Sequence, residues 1–453
     1  MRHRLWRQDL VNRTYLTDPR DHPQNRTVDA GLEFLRTNRD EDGWMLQIEC
    51  FDPHEPFFSH AEHRRHYPDL PERSEPGHDW PDYAKNTEDA GTTARIRDEY
   101  SALLTMCDAS LGRVLDHFDT HDLWSDTLLL VGTDHGFLLG EHGWWGKNVQ
   151  SWYDENIHTP LFVWDPRSAR AGERRGQLVQ TVDFGPTLLD HFGIEPTPTV
   201  LGRSLLPVLR ENADIRSSAL FGVFGGHVNV TDGRYVYMRS CTTPENAPLF
   251  EHTLMPTHMN ARFDVAELRG AELVGPLPFT RDVPVLRVPG RPFGNPHAFG
   301  TLLFDLAEDP EQQHPLLDDD LELRMLGLLL EAMRAADAPA SQYERLGLPA
   351  EGPAGTEHLL ARAQRDLYED ARAPVPAATE FGGTGVTRPL TELLDRESTR
   401  EVLTTHLGPA VQAMAGALPG CTVLDLAAFN PALTTTVLHT LDDALTSAAT
   451  AAP

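Results

Sequence analysis

The chain has 453 residues, room for two or three domains, and its 68 acidic against 39 basic side chains give a formal net charge of −29. That balance argues against nucleic acid as a partner, because phosphate backbones are bound by basic faces. No run of about 18 apolar residues is present that would span a bilayer. The arginine-rich start lacks the apolar stretch of a secretory signal, so a cytoplasmic protein is expected for the chain as given. A leader would have stood only on a lost N-terminus. Cys50, Cys107, Cys241 and Cys421 are far apart and form no C-x-x-C pair, which predicts buried free thiols.

In chain order, residues 27–36 read as a helix with Thr27 at its N-cap and Val28, Leu32 and Leu35 as its apolar stripe. Residues 44–51 read as a strand. It ends in Phe51-Asp52-Pro53-His54-Glu55-Pro56, whose two prolines fix the loop and hold His54 in one direction. Asp52 and Glu55 are expected to be solvated turn residues. Residues 60–91 form a long surface excursion, with His60, His63, His66 and His78 at the surface and without metal spacing. From Ile96 to Phe118 the apolar side chains recur at helical spacing, giving an amphipathic helix of about 25 residues.

Leu128 to Val131 is a short apolar run of the kind buried on both faces in a parallel sheet. Thr133-Asp134-His135-Gly136 follows at its carboxyl end, where ligands are met in open α/β sheets. A glycine-rich loop then delivers Lys147. The chain has only two lysines, Lys85 and Lys147, so Lys147 is a poor candidate for a casual surface charge. A compact ammonium suits a point contact to an anionic oxygen.

Beyond that loop, residues 151–158 read as a short helix and 159–164 as a strand. Asp183 caps the next helix, with Pro186 in its first turn. Residues 219–224, 228–231 and 235–239 are strands, the last two joined by an Asp232-Gly233 hairpin turn. Residues 301–306 are a further strand and 316–335 a closing helix. Residues 241–300 show no readable pattern; Arg239, His258 and Arg281 are candidates for shaping substrate choice. Residues 346–389, rich in Pro, Ala and Gly, read as a linker, and 390–453 as a small helical appendage for docking or dimerisation.

Thr133-Asp134-His135-Gly136, then Gly140-Glu141-His142-Gly143 and Gly146-Lys147, resemble the sulfatase family of the alkaline phosphatase superfamily. The Asp-Pro-His-x-Pro turn at Asp52 to Pro56 is similar to a second motif of that family. The resemblance implies that Asp134 and His135 bind a divalent cation, Ca2+ before Mg2+ or Mn2+. It implies that Lys147 contacts the sulfate and leaving-group oxygen, and that His54 reaches the sulfate and helps protonate the departing oxygen. The implied fold is α/β: an alkaline-phosphatase-like mixed or parallel sheet flanked by helices, with a small C-terminal antiparallel sheet. The implied domains are an α/β catalytic domain over 1–215 and a C-terminal subdomain over 216–345. The implied ligand is a small-molecule or carbohydrate sulfate ester, with no nucleic acid and no membrane as partner.

The family's nucleophile is a formylglycine made from Cys or Ser in a C/S-x-P/A-x-R segment. None of the four cysteines stands in that context, and no serine precedes His54. The family's first strand has no counterpart either. An N-terminally truncated sulfatase is therefore expected, as a homo-oligomer or completed by a separate N-terminal half. Two other readings stay open: a phosphonate or phosphate ester hydrolase of the same superfamily, and a non-catalytic relic or binding protein.

Overall fold

The computed structural model describes residues 2–72, 77–255, 257–258, 261–290, 292, 294–408, 411–418 and 420–450. The predicted excursion over 60–91 and the segment 241–300 fall partly outside these residues. The chain divides into two compact units: residues 1–127, 138–146 and 374–453, and residues 128–137 and 147–373. This partition differs from a simple succession of domains along the chain.

In the first unit, the helix Pro23–Thr37 buries Val28, Leu32 and Leu35, the predicted stripe. It begins a turn before Thr27, because Pro23 presets the first helical φ and the His22 ring caps the end by accepting the Gln24 N–H. The helix Ala90–His121 is longer than its apolar stripe. Asp89 accepts the Thr92 N–H at its start, and Asp122 ends it in the left-handed region at φ 54°. Residues 44–51 are not a strand. Burial alternates as a strand's would, with Trp44, Leu46, Ile48 and Cys50 half-buried and Met45, Gln47, Glu49 and Phe51 exposed. Ile48 lies over Gly31, where a Cβ would come within 2.5 Å of its Cδ1, and Trp44 meets Phe34 edge-on. A strand is a paired element, and among the described residues nothing forms a ladder with this segment.

The tail folds as the helices Leu390–Leu394, Glu397–Leu407, Val411–Ala417, Val423–Ala427 and Thr435–Thr450. They enclose a core that includes Leu390, Leu403, Val423, Leu438 and Leu441. Phe381 and Val386, from the predicted linker, belong to that core.

Eleven strands are described. In chain order they are β1 (Leu129–Gly132), β2 (Leu138–Leu139), β3 (Trp145–Gly146), β4 (Leu161–Trp164), β5 (Ala219–Gly222), β6 (Val228–Thr231), β7 (Tyr235–Arg239), β8 (Phe250–Thr253), β9 (Glu272–Val274), β10 (Val285–Pro289) and β11 (Leu302–Asp305). In the second unit β1 pairs with β4, β8-β10-β9 form a three-stranded sheet, and β11-β7-β6-β5 form a four-stranded one. Every ladder among the described residues is antiparallel, so the expected parallel component is not formed there. β1 is correspondingly half-buried rather than sealed on both faces, since one neighbour cannot cover it.

The Asp232-Gly233 hairpin forms as predicted, with Val230 opposite Tyr237 and Gly233 at φ 93°. The helix Asp319–Ala335 sets Met325, Leu326, Leu329 and Leu330 against Val230, Tyr237 and Leu303 of that sheet. Residues 346–389 are not a plain linker: they carry the helix Arg365–Arg372, with Tyr368 and Ala371 buried. Low apolar content misled the expectation, because Tyr368 is held mainly by polar contacts to Gln313 and Arg372. The four cysteines are free thiols, Cys241 buried and the others half-buried. Among the described residues no helix is long and apolar enough to cross a membrane.

Candidate active site

The Asp-His-Gly turn owes its position to the two-stranded sheet beneath it. Leu130 of β1 and Leu161 and Val163 of β4 pack with Val179 and Phe184 on Leu205, Val208 and Ile215. The chain leaves β1 at Gly132, and the turn is clamped from the other side. The Gly136 N–H donates to the Asn156 carbonyl at 2.8 Å, and a Cβ on Gly136 would stand 1.9 Å from the Glu155 carbonyl oxygen. Only glycine fits that approach. Gly136→Ala is expected to push the turn off the helix Asp154–Ile157 and cost about 1–3 kcal/mol, as overpacking does. Urea unfolding checks it; a cost below about 0.5 kcal/mol would mean the turn yields freely.

Within the turn the Asp134 carboxylate accepts the His135 N–H at 2.9 Å and the Thr133 hydroxyl at 3.3 Å. Burial alone would raise its pKa. The His135 ring and these hydrogen bonds outweigh burial and hold the carboxyl below the usual range. The His135 Nδ1 lies 2.9 Å from the Gly136 carbonyl, which only accepts, so Nδ1 carries the proton. The Nε2 then faces Asp134 Oδ2 at 3.3 Å. The Asp134 side chain is 81% exposed.

The donor set does not make a resident metal centre on its own. A hard cation takes about six oxygen-type ligands. Among the described residues no group of three or more His, Cys, Asp or Glu side chains is placed to hold one. Asp134 and His135 supply only two adjacent side chains toward such a set.

Both lysines are buried, in keeping with their rarity, at 9% exposure for Lys85 and 7% for Lys147. The Lys147 carbonyl accepts the Trp152 indole N–H at 2.8 Å, and the Trp152 ring centroid is 6.4 Å from that of His135. One tryptophan thus ties the lysine segment to the Asp-His turn. Trp152 carried no readable signal in the sequence: it stands alone in a loop, and its role comes from what it touches.

His54 belongs to the first unit. Its Nδ1 is 2.7 Å from the Glu55 carbonyl, an acceptor, so in this contact Nδ1 donates. The ring lies on Phe51 with centroids 4.4 Å apart and is one-third exposed. Asp52 and Glu55 are not the solvated residues expected. The Glu55 side chain is buried and accepts the Tyr83 hydroxyl, and burial followed by that bond raises the Tyr83 phenol above its usual range. Burial pushes the Asp52 carboxyl up to about 6. Nor are the neighbouring histidines all at the surface: His60 is half-buried and packs edge-on to His22 and Phe58.

Of the candidates for substrate choice, Arg239 is wholly buried. Its guanidinium donates to the Leu346 and His358 carbonyls and the Tyr237 hydroxyl, which makes it a strut of the C-terminal sheet. His258 pairs with Glu267 at 2.8 Å, and Arg281 sits in the left-handed region at φ 50°.

Residues 3–194 match the family model for sulfatases, and residues 140–269 match the model for the C-terminal part of N-sulphoglucosamine sulphohydrolase. The chain belongs to the sulfatase family of the alkaline phosphatase superfamily. It is similar to an N-acetylglucosamine-6-O-sulfatase of Bacteroides thetaiotaomicron, 34% identical over 27% of this chain and 22% of that protein. It is also similar to an arylsulfatase of Clostridium perfringens, 25% identical over 49% of this chain and 50% of that one. These matches reach no more than half the length of either curated relative. Among solved structures, a phosphonate monoester hydrolase of Agrobacterium radiobacter aligns with 76% of this chain and 62% of its own, at 17% identity and a TM-score of 0.44.

Proposed function

We propose that this chain serves the hydrolysis of sulfate esters of small molecules or carbohydrates. One observation carries the reading: Asp134 and His135 converge their acceptor atoms at the end of β1, while Trp152 links that turn to the backbone of the buried Lys147. In this reading the Lys147 ammonium takes the charge of the sulfate and of the departing oxygen. Electrostatic stabilisation of that kind is usually the largest catalytic contribution. Positive charge supplied locally offsets a chain whose net charge of −29 opposes anions at long range.

The reaction also needs a nucleophile, and no Cys or Ser context in residues 1–453 matches the formylglycine segment at its expected place before His54. This polypeptide alone is therefore expected to release no 4-nitrophenol from 4-nitrophenyl sulfate with calcium present. Its sulfate-binding half is testable by itself. Calorimetric titration of the full chain with 4-nitrophenyl sulfate is expected to show binding that Lys147→Ala weakens 10- to 100-fold, the worth of a charge-assisted hydrogen bond. Unchanged affinity in a folded Lys147→Ala protein would end the reading. Turnover at an enzymatic rate by these 453 residues would end the claim about the nucleophile.

A further inference from the structure

Residues 44–51 have the side-chain alternation of a strand and no strand to pair with. Gly43, in the left-handed region at φ 71°, opens the segment, and Pro53, which has no N–H, lies just past its end. Among the described residues, the backbone of residues 44–50 makes no hydrogen bond to any other backbone group. A strand-like segment in that state presents an open edge, and such edges recruit further strands. Ile48 lies over Gly31 of the helix Pro23–Thr37, and Trp44 meets Phe34 of the same helix, so the half-buried, even-numbered row is the one on the helix side. The odd-numbered side chains, Met45, Gln47, Glu49 and Phe51, stand in solvent, with Met45 56% and Phe51 67% exposed.

A partner strand must match this alternation, because a slip of one residue turns every side chain to the wrong face. The segment can match itself. Two copies related by a two-fold axis pair the same edge antiparallel, and the residue on the axis sets every other pairing. Ile48 on the axis places Gln47 opposite Glu49 of the second copy, Leu46 opposite its Cys50 and Met45 opposite its Phe51. Every exposed side chain then meets an exposed one, and the helices of both copies lie on one side of the joined strands. The outer row sets apolar against apolar and amide against carboxylate, and the inner row is apolar throughout. The Gln47 amide already donates one N–H to its own Glu49 at 3.0 Å and has a second for that of the copy. Other registers are worse. Glu49 on the axis opposes two carboxylates, and Gln47 on the axis sets Met45 against Glu49 and Phe51 against Gly43. An axis between two residues sets the exposed row against the half-buried one.

We infer that residues 45–51 are a self-association edge, through which two copies of this chain join by an antiparallel ladder centred on Ile48. The occupant is a second copy because the segment supplies its own complement in register. No like charges are opposed there, in a chain whose net charge of −29 otherwise keeps copies apart. A ladder this short is a small interface, so the dimer belongs to the weak, micromolar class. Pairing of this edge does not depend on what the Asp134-His135 turn binds.

Sedimentation velocity of the full chain, from about 1 to about 100 µM, is expected to show a monomer–dimer equilibrium. Hydrogen exchange read by mass spectrometry is expected to show the amides of residues 45–51 gaining protection as the dimer fills. Gln47→Lys sets an ammonium opposite Glu49 at both symmetric positions and is expected to tighten the dimer about 2- to 30-fold. Gln47→Glu opposes carboxylates at the same two positions and is expected to weaken it by a similar factor, and adding Glu49→Lys to that variant is expected to restore it. Gln47→Pro, at an exposed position whose N–H has no backbone partner within the chain, is expected to abolish the dimer. Circular dichroism melting checks that each variant folds, and the exchange measurement on the unaltered chain stands whether or not a variant does. A chain monomeric at about 100 µM, a dimer without protection at residues 45–51, equal affinities for folded Gln47→Lys and Gln47→Glu proteins, or no recovery in the double variant would each overturn the assignment.

Discussion

Asp183→Ala is expected to cost about 3–5 kcal/mol, the usual result of breaking a buried ion pair from one side. Asp183 is fully buried, and its two oxygens receive four N–H groups. Arg216 reaches both at 2.5 Å, the Gln180 N–H reaches one at 2.7 Å, and the Arg203 N–H reaches the other at 2.8 Å. Alanine would strand a guanidinium that is 8% exposed, together with two backbone donors. The loss reaches the candidate site, because the Thr187 hydroxyl joins the Asp183 carbonyl to the Leu205 N–H, and Leu205 packs with Leu130 of β1. Urea unfolding of the variant gives the cost. In a double-mutant cycle, Asp183→Ala with Arg216→Ala should fall short of the sum of the single losses, since the second change removes the stranded charge. A single-variant loss under about 1 kcal/mol would show the pair to be worth no more than a surface bridge.

Asp52→Asn should act in the opposite sense, stabilising the protein with a distinctive pH dependence. Burial raises the Asp52 carboxyl from 3.8 to about 6, so the folded state favours the protonated acid. The stability it contributes is complete below about pH 4, declines as pH rises, and is gone above about pH 6. By pH 8 the folded state holds a desolvated carboxylate at a cost of about 3 kcal/mol. Asparagine removes that cost, so the variant should gain up to about 3 kcal/mol at pH 8 and nothing at pH 4.

His22 does not rescue the charge. Its Nδ1, 3.8 Å from Asp52 Oδ2, already accepts the Gln24 N–H and so cannot carry a proton toward the carboxylate. Burial, with smaller contributions from His60 and His63, lowers the His22 ring to about 4. A lowered histidine has the reverse dependence: its contribution is present above about pH 6.5 and is lost as pH falls through about 4. Denaturant unfolding of wild type and variant at pH 4, 6 and 8 separates the two. A gain equal at all three values would mean that the Asp52→Asn substitution acts through packing, with no part for the ionisation.

Elements whose cause is local were legible in the sequence. Apolar spacing marked the long helix, Asp232-Gly233 marked the hairpin through a positive φ that glycine accepts, and the Asp-His-Gly and Gly-Lys words marked the family. The sequence also placed Asp134 and His135 together, because neighbours in a turn need no fold to meet. Whatever depends on a distant partner had to wait for the folded chain. Residues 44–51 alternate like a strand yet have no ladder, because pairing is a property of two segments. Arg239 looked like a pocket residue until carbonyls more than a hundred positions away took its guanidinium. Asp52 and Glu55 looked solvated because polarity was read without burial. Trp152 and the clamp on Gly136 were silent for the same reason: each acts through atoms that only folding brings within a few ångströms.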